Sequence, residues 1–160
     1  MGVEIKKELY EVGSFEWYEN IDSEFFQNLT RAMMHADNDN TSKIEKIFPH
    51  ISSAKKESDW RSAPKTDVMI TINNDDPERK LPERKSEVVF GDGSFNKYLY
   101  QSGHFLTFLS RAIFFADDNN MCLIGQEFPQ MVIARTNENW DVPPLGFKNN
   151  HYLSEMEDDD

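Results

Sequence analysis

One stretch of the chain is written twice. Residues 25–49, FFQNLTRAMMHADNDNTSKIEKIFP, return eighty places later as residues 105–129, FLTFLSRAIFFADDNNMCLIGQEFP. The offset is constant and needs no gap. It pairs Phe25 with Phe105, Leu29 with Leu109, Arg31 with Arg111, Ala32 with Ala112, Asp37 with Asp117, Asn40 with Asn120, Ile44 with Ile124, Phe48 with Phe128 and Pro49 with Pro129. The same offset reaches outward to Gly13-Ser14-Phe15 and Gly93-Ser94-Phe95, Tyr18 and Tyr98, Ala54 and Ala134, Trp60 and Trp140, Pro64 and Pro144. A register held without insertion through Trp, Pro, Phe and Arg reads as an internal duplication.

The repeat carries its own secondary structure. Phe25, Leu29, Ala32, Met33 and Ala36 fall on one face of a helix, and Phe105, Leu109, Ala112, Ile113 and Ala116 repeat the spacing. Asp22-Ser23 and Ser102-Gly103 stand ahead of that helix as N-cap candidates. Ala-Asp-x-x-Asn then ends it, because Asp and Asn side chains favour caps and turns over helix interiors. A second, shorter helix is expected from about Asn40 or Asn120, burying Ile44 and Phe48 or Ile124 and Phe128. Pro49 and Pro129 interrupt it. Residues 130–134 read equally as helix or strand. Trp60 and Trp140 close each copy, each indole expected as a lid on its own core.

Three short segments read as extended: residues 9–12, residues 87–90 ahead of Gly91-Asp92-Gly93, and the alternating residues 67–72. The expected architecture is therefore mainly α with minor β, two tandem helix–turn–helix-type modules at residues 8–66 and 87–153. A charged linker at 67–86 separates them, and an acidic, disordered tail follows at 154–160. Each module is small enough for a lone core to be marginal, so the two are expected to pack together or on a partner.

Composition narrows the function more than it names it. The net charge of −12 argues against direct nucleic-acid binding, which needs clustered Lys and Arg. No long apolar run and no signal-like start are present, and Cys122 is a single cysteine, so a cytoplasmic, non-membrane protein is expected. Position 6 is Lys where a myristoylation signal after Gly2 wants Ser or Thr.

Candidate chemistry is sparse. Asp37-Asn38-Asp39-Asn40-Thr41 begins like a helix–loop–helix calcium loop, but Ser42 and Phe48 stand where Gly and a bidentate Glu are needed. Cys122 and Phe128 break the second copy at the same places, so capping is the expected job. Arg31 and Arg111 are read as structural, bridging to the Asp37 or Asp117 turn or to carbonyls that end the second helix. His35, His50, His104 and His151 share no ligand spacing, and Cys122 has no basic neighbours to activate it. No catalytic residue, metal site or cofactor is expected.

What distinguishes the copies is apolar surplus. Where the first has Asn28, His35, Thr41, Ser42, Lys43, Ser52 and Ser53, the second has Phe108, Phe115, Met121, Cys122, Leu123, Val132 and Ile133. Each large apolar side chain gains roughly 1.5 to 3 kcal/mol on burial, so this flank must be covered by the first module, another copy or a partner. The leading expectation is a non-enzymatic binding, adaptor or inhibitor protein using that flank as a protein or homo-oligomer interface. An acidic mimic of nucleic acid that blocks a nucleic-acid-binding protein is the alternative, and an enzyme of unknown class the third. The pattern R-A-x-x-x-A-D-x-x-N-x-x-x-I-x-x-x-F-P, carried from Arg31 and again from Arg111, resembles a small helical module of uncharacterised bacterial and phage proteins. That resemblance implies a helical fold and a bacterial or phage origin, and it implies no activity.

Overall fold

A computed structural model describes residues 10–20, 23–57, 59–63, 80–83 and 87–146. Among these the chain is all helical. The helices are α1 (Phe15–Asn20), α2 (Glu24–Met34), α3 (Asn38–Ile47), α4 (Pro49–Glu57), α5 (Phe95–Tyr100), α6 (His104–Phe115), α7 (Asp118–Glu127) and α8 (Pro129–Thr136). Each of the first four starts eighty residues before its counterpart in the second four.

Local chemistry explains the boundaries. Gly13 and Gly93 hold φ of +92° and +90°, a conformation that favours glycine. The following Ser14 and Ser94 cap α1 and α5, their hydroxyls accepting from Trp17 N at 3.1 Å and Lys97 N at 3.2 Å. Ser23 caps α2 by accepting from Phe26 N at 3.3 Å. Its counterpart Gly103, at φ +88°, offers no side-chain bond, so the expected cap chemistry holds at α2 and is absent at α6. Asp37 and Asp117 accept from Asn40 N and Asn120 N, each at 2.8 Å. That places the starts of α3 and α7 at Asn38 and Asp118, two residues before the expected point.

Phe48 and Phe128 leave the helical region, with φ, ψ of −133°, 69° and −130°, 58°. A following proline disfavours helical backbone at the residue before it, yet is well placed to open a new helix. Pro49 and Pro129 accordingly begin α4 and α8. Residues 130–134 are helix rather than strand. Residues 87–90 make no strand either; the glycine turn after them runs straight into α5. The expected minor β-structure is thus missing among the described residues. Residue 9, the candidate strand at 67–72, most of the 67–86 linker and the 154–160 tail lie outside them.

The core is continuous across both halves. Phe25, Leu29 and Ala32 from α2 join Phe105, Leu109 and Ala112 from α6, with Ile44, Ile124, Phe15, Phe95, Tyr18 and Tyr98 around them. The broadest contact between elements is α2 against α6, and α3 also meets α7.

Candidate functional site

α2 and α6 are each buried on more than the one face that the periodicity picks out. Phe25 turns to Phe48, ring centroids 5.8 Å apart, whereas Phe26 turns to Tyr18 at 5.9 Å. A third face carries Asn28 and Arg31 on α2, with His35 at its cap, and Phe108, Arg111 and Phe115 on α6; its His35 and Phe108 take part in the meeting of the two halves. His35 stacks on Phe108 (5.6 Å, 9°) and on His104 (4.9 Å, 22°). The end of α2 therefore lies beside the start of α6, and the pair runs antiparallel.

Of the two rings expected at a partner interface, Phe108 meets the first half through His35, and Phe115 lies against Phe114 with centroids 5.0 Å apart. Phe115 is buried in the common core, and Phe108 is half-buried against it and covered by His35. Asn28, the counterpart of Phe108, is also buried; its amide donates to Glu24 O at 2.8 Å. Arg111 lies with its guanidinium carbon 5.6 Å from the Phe108 ring centroid, while Asp117 receives the Asn120 amide rather than Arg111. Arg31 is half-buried in the last turn of α2. The remaining surplus divides. Met121, Leu123 and Val132 are half-buried against the core, and Ile133 is exposed. At the α3–α7 contact Lys43 sits 5.8 Å above the Phe128 ring and Lys46 Nζ lies 3.9 Å from Glu127.

Trp60 packs on Phe15 (4.9 Å), and Trp140 on Phe95 (4.7 Å) and Phe114 (5.7 Å). Trp60 O accepts from Glu16 N at 2.8 Å and Trp140 O from Asn96 N at 2.9 Å, so the same main-chain hydrogen bond anchors both residues; the Trp140 indole also donates from Nε1 to Arg135 O at 3.0 Å. Among the described residues no three His, Cys, Asp or Glu side chains are grouped as a metal would need, and no helix is long and apolar enough to cross a membrane. Cys122 is exposed.

Beside Trp140 lies an apolar surface that comparison within residues 25–49 and 105–129 does not reach. Val88, Val89, Val142 and Leu145 are all exposed, Val89 at 87% and Leu145 fully. Two loops carry them, and both are fastened. Phe90 N donates to Gln101 Oε1 at 2.9 Å, Gln101 Nε2 donates to Val88 O, and Asn137 Nδ2 donates to Val142 O at 3.2 Å. The loops touch where Gly91 meets Pro143, so closely that a Cβ on Gly91 would stand 2.9 Å from Pro143 Cδ. Extending the register outward would have found the surface: Glu8, Ser62 and Lys65 occupy the places of Val88, Val142 and Leu145. The matching end of the first half exposes Val12 and Trp60, with Arg61 reaching Glu16 at 3.6 Å.

No protein-family model, no curated protein and no solved structure matches the chain.

Proposed function

We propose that the protein is a non-enzymatic protein-binding or adaptor protein built from two copies of one helical unit. The matched helix starts, the paired Gly-Ser and Asp caps and the twin Trp bonds support a common origin for the halves. A helix meeting its own counterpart twice, α2 with α6 and α3 with α7, is the pattern of a twofold contact folded into one chain. It fits a pseudo-twofold better than a translation. On this reading Phe108 and Phe115 are taken inward, and the binding surface is the open apolar end at Val88, Val89, Val142 and Leu145.

One observation carries the proposal: fastened loops hold four apolar side chains in solvent, where the first half has polar residues at three of the four places. Exposed apolar groups grouped this way mark interaction sites. The test is affinity capture from a bacterial lysate, the source to which the motif's resemblance points, with the intact chain and with Val142→Ser/Leu145→Lys. Capture that depends on the two side chains supports the reading; identical capture by both proteins contradicts it. The net charge of −12 favours a second reading, a mimic of nucleic acid. Salt separates them, because a contact made by charge weakens steeply with ionic strength and an apolar one changes little.

A further inference from the structure

We propose that the seam between α2 and α6 is a binding site for a phosphate group, held between Arg31 and Arg111. The inference goes beyond the binding-protein reading and does not rest on it. The ring contacts fix the register of the antiparallel pair. His35 stacks on Phe108, ring centroids 5.6 Å apart. Arg31 lies one turn before His35, about 6 Å along α2, and Arg111 one turn after Phe108, about 4.5 Å along α6. Because the helices run in opposite senses, both steps go the same way, and the two arginines stand at one level of the seam. The proposed twofold, relating each residue to the one eighty places on, carries the His35–Phe108 pair onto Phe115 and Asn28. It carries the Arg31–Arg111 pair onto itself, so the axis passes between these two residues.

Both arginines are half-buried, and among the described residues neither makes an ion pair. Arg111 lies over the Phe108 ring, 5.6 Å to its centroid, and its Nε is buried with no hydrogen-bond partner. A cation's N–H taken out of water without an acceptor is costly, and an anion would satisfy it. The local acids are spent or distant. Asp37 and Asp117 receive the Asn40 and Asn120 amides, α6 has no acid, and the one acid of α2, Glu24, is about two turns from Arg31. Glu16 and Glu19 belong to α1, which meets the Phe26 side of α2 through Tyr18. His35 and His104 are exposed on the seam, and Lys55 donates to Met33 O near the same end. Two guanidinium forks across an axis suit a tetrahedral dianion, which offers oxygens to both, whereas a carboxylate has two oxygens and fills one fork.

The test follows the arginine Nε–H signals of the isotope-labelled full chain by NMR as inorganic phosphate, phenyl phosphate or acetate is added at constant ionic strength. The proposal expects two arginine signals to move and saturate with phosphate and to stay in place with acetate. Saturation by inorganic phosphate alone assigns the site to the free ion, and saturation by both phosphates assigns it to the phosphate group of an ester. Arg31→Gln and Arg111→Gln should each weaken binding roughly tenfold or more, with circular dichroism matching the parent. Arg31→Lys and Arg111→Lys, which keep the charge and lose the fork, should weaken it too. No saturable shift in the parent, equal response to acetate, or phosphate binding that ignores the substitutions would overturn the proposal. The parent titration decides even where a variant loses its fold. Lysate capture that depends on Val142 and Leu145 is read separately, so failure here leaves the binding-protein reading standing.

Discussion

Single residues set the ends of these helices and can be tested one at a time. Asp37 and Asp117 each satisfy an amide that would otherwise be left open at a helix start. Replacing Asp117 by Ala should cost about 1 kcal/mol in urea unfolding, whereas Asn at the same place should retain most of the stability. Gly125 lies within α7, where a Cβ would make only ordinary contact with Val132 at 3.7 Å. Gly125→Ala should therefore stabilise the protein by roughly 0.5 to 1 kcal/mol, a gain read as a higher urea midpoint. Tyr18 is fully buried, its hydroxyl finds no hydrogen-bond partner among the described residues, and burial pushes its ionisation far above the ordinary 10.0. A phenol whose folded pKa is raised stabilises the fold below the unfolded pKa and loses that contribution as pH rises past it. Unfolding in alkali should thus steepen above about pH 10, and Tyr18→Phe should flatten that limb in a pH titration of circular dichroism.

At the scale of elements, the meeting of α2 and α6 decides how the halves are held. Phe115 is buried at 8% exposure beside it, and truncating a buried phenyl ring costs about 3 to 5 kcal/mol. Phe115→Ala should lower the urea midpoint sharply. The exchange Phe108→Asn/Phe115→His, which copies the first half, should also destabilise, and partner capture by the protein that remains folded should be unchanged. The helices themselves were legible in the residues: the 25, 29, 32, 33, 36 spacing and its echo specify α2 and α6, and the Asp turns mark the entry to α3 and α7. The short α1 and α5 were not, because six residues cannot display a period; only the Gly-Ser caps announce them. The exposed end was missed for a different reason. Its residues lie outside the matched stretch; the register there sets Val142 and Leu145 against Ser62 and Lys65, but that they stay uncovered is a property of the packed elements.

For the whole molecule the claim is that sequence divergence between the halves has two outlets. Part of the apolar surplus is taken inward, Phe108 against His35 of the first half and Phe115 in the shared core, and part, at Val88, Val89, Val142 and Leu145, is left facing outward. The first outlet requires the halves to unfold together, since the core runs through both without a break. Indoles report on each half, Trp17 and Trp60 in the first and Trp140 in the second. The most direct measurement is equilibrium urea unfolding of the full chain, following tryptophan fluorescence and backbone circular dichroism, repeated with Trp140→Phe so that fluorescence reports the first half alone. Coincident curves with one midpoint for each protein are expected; two separated transitions, one following the first-half indoles and one following the rest, would contradict the account.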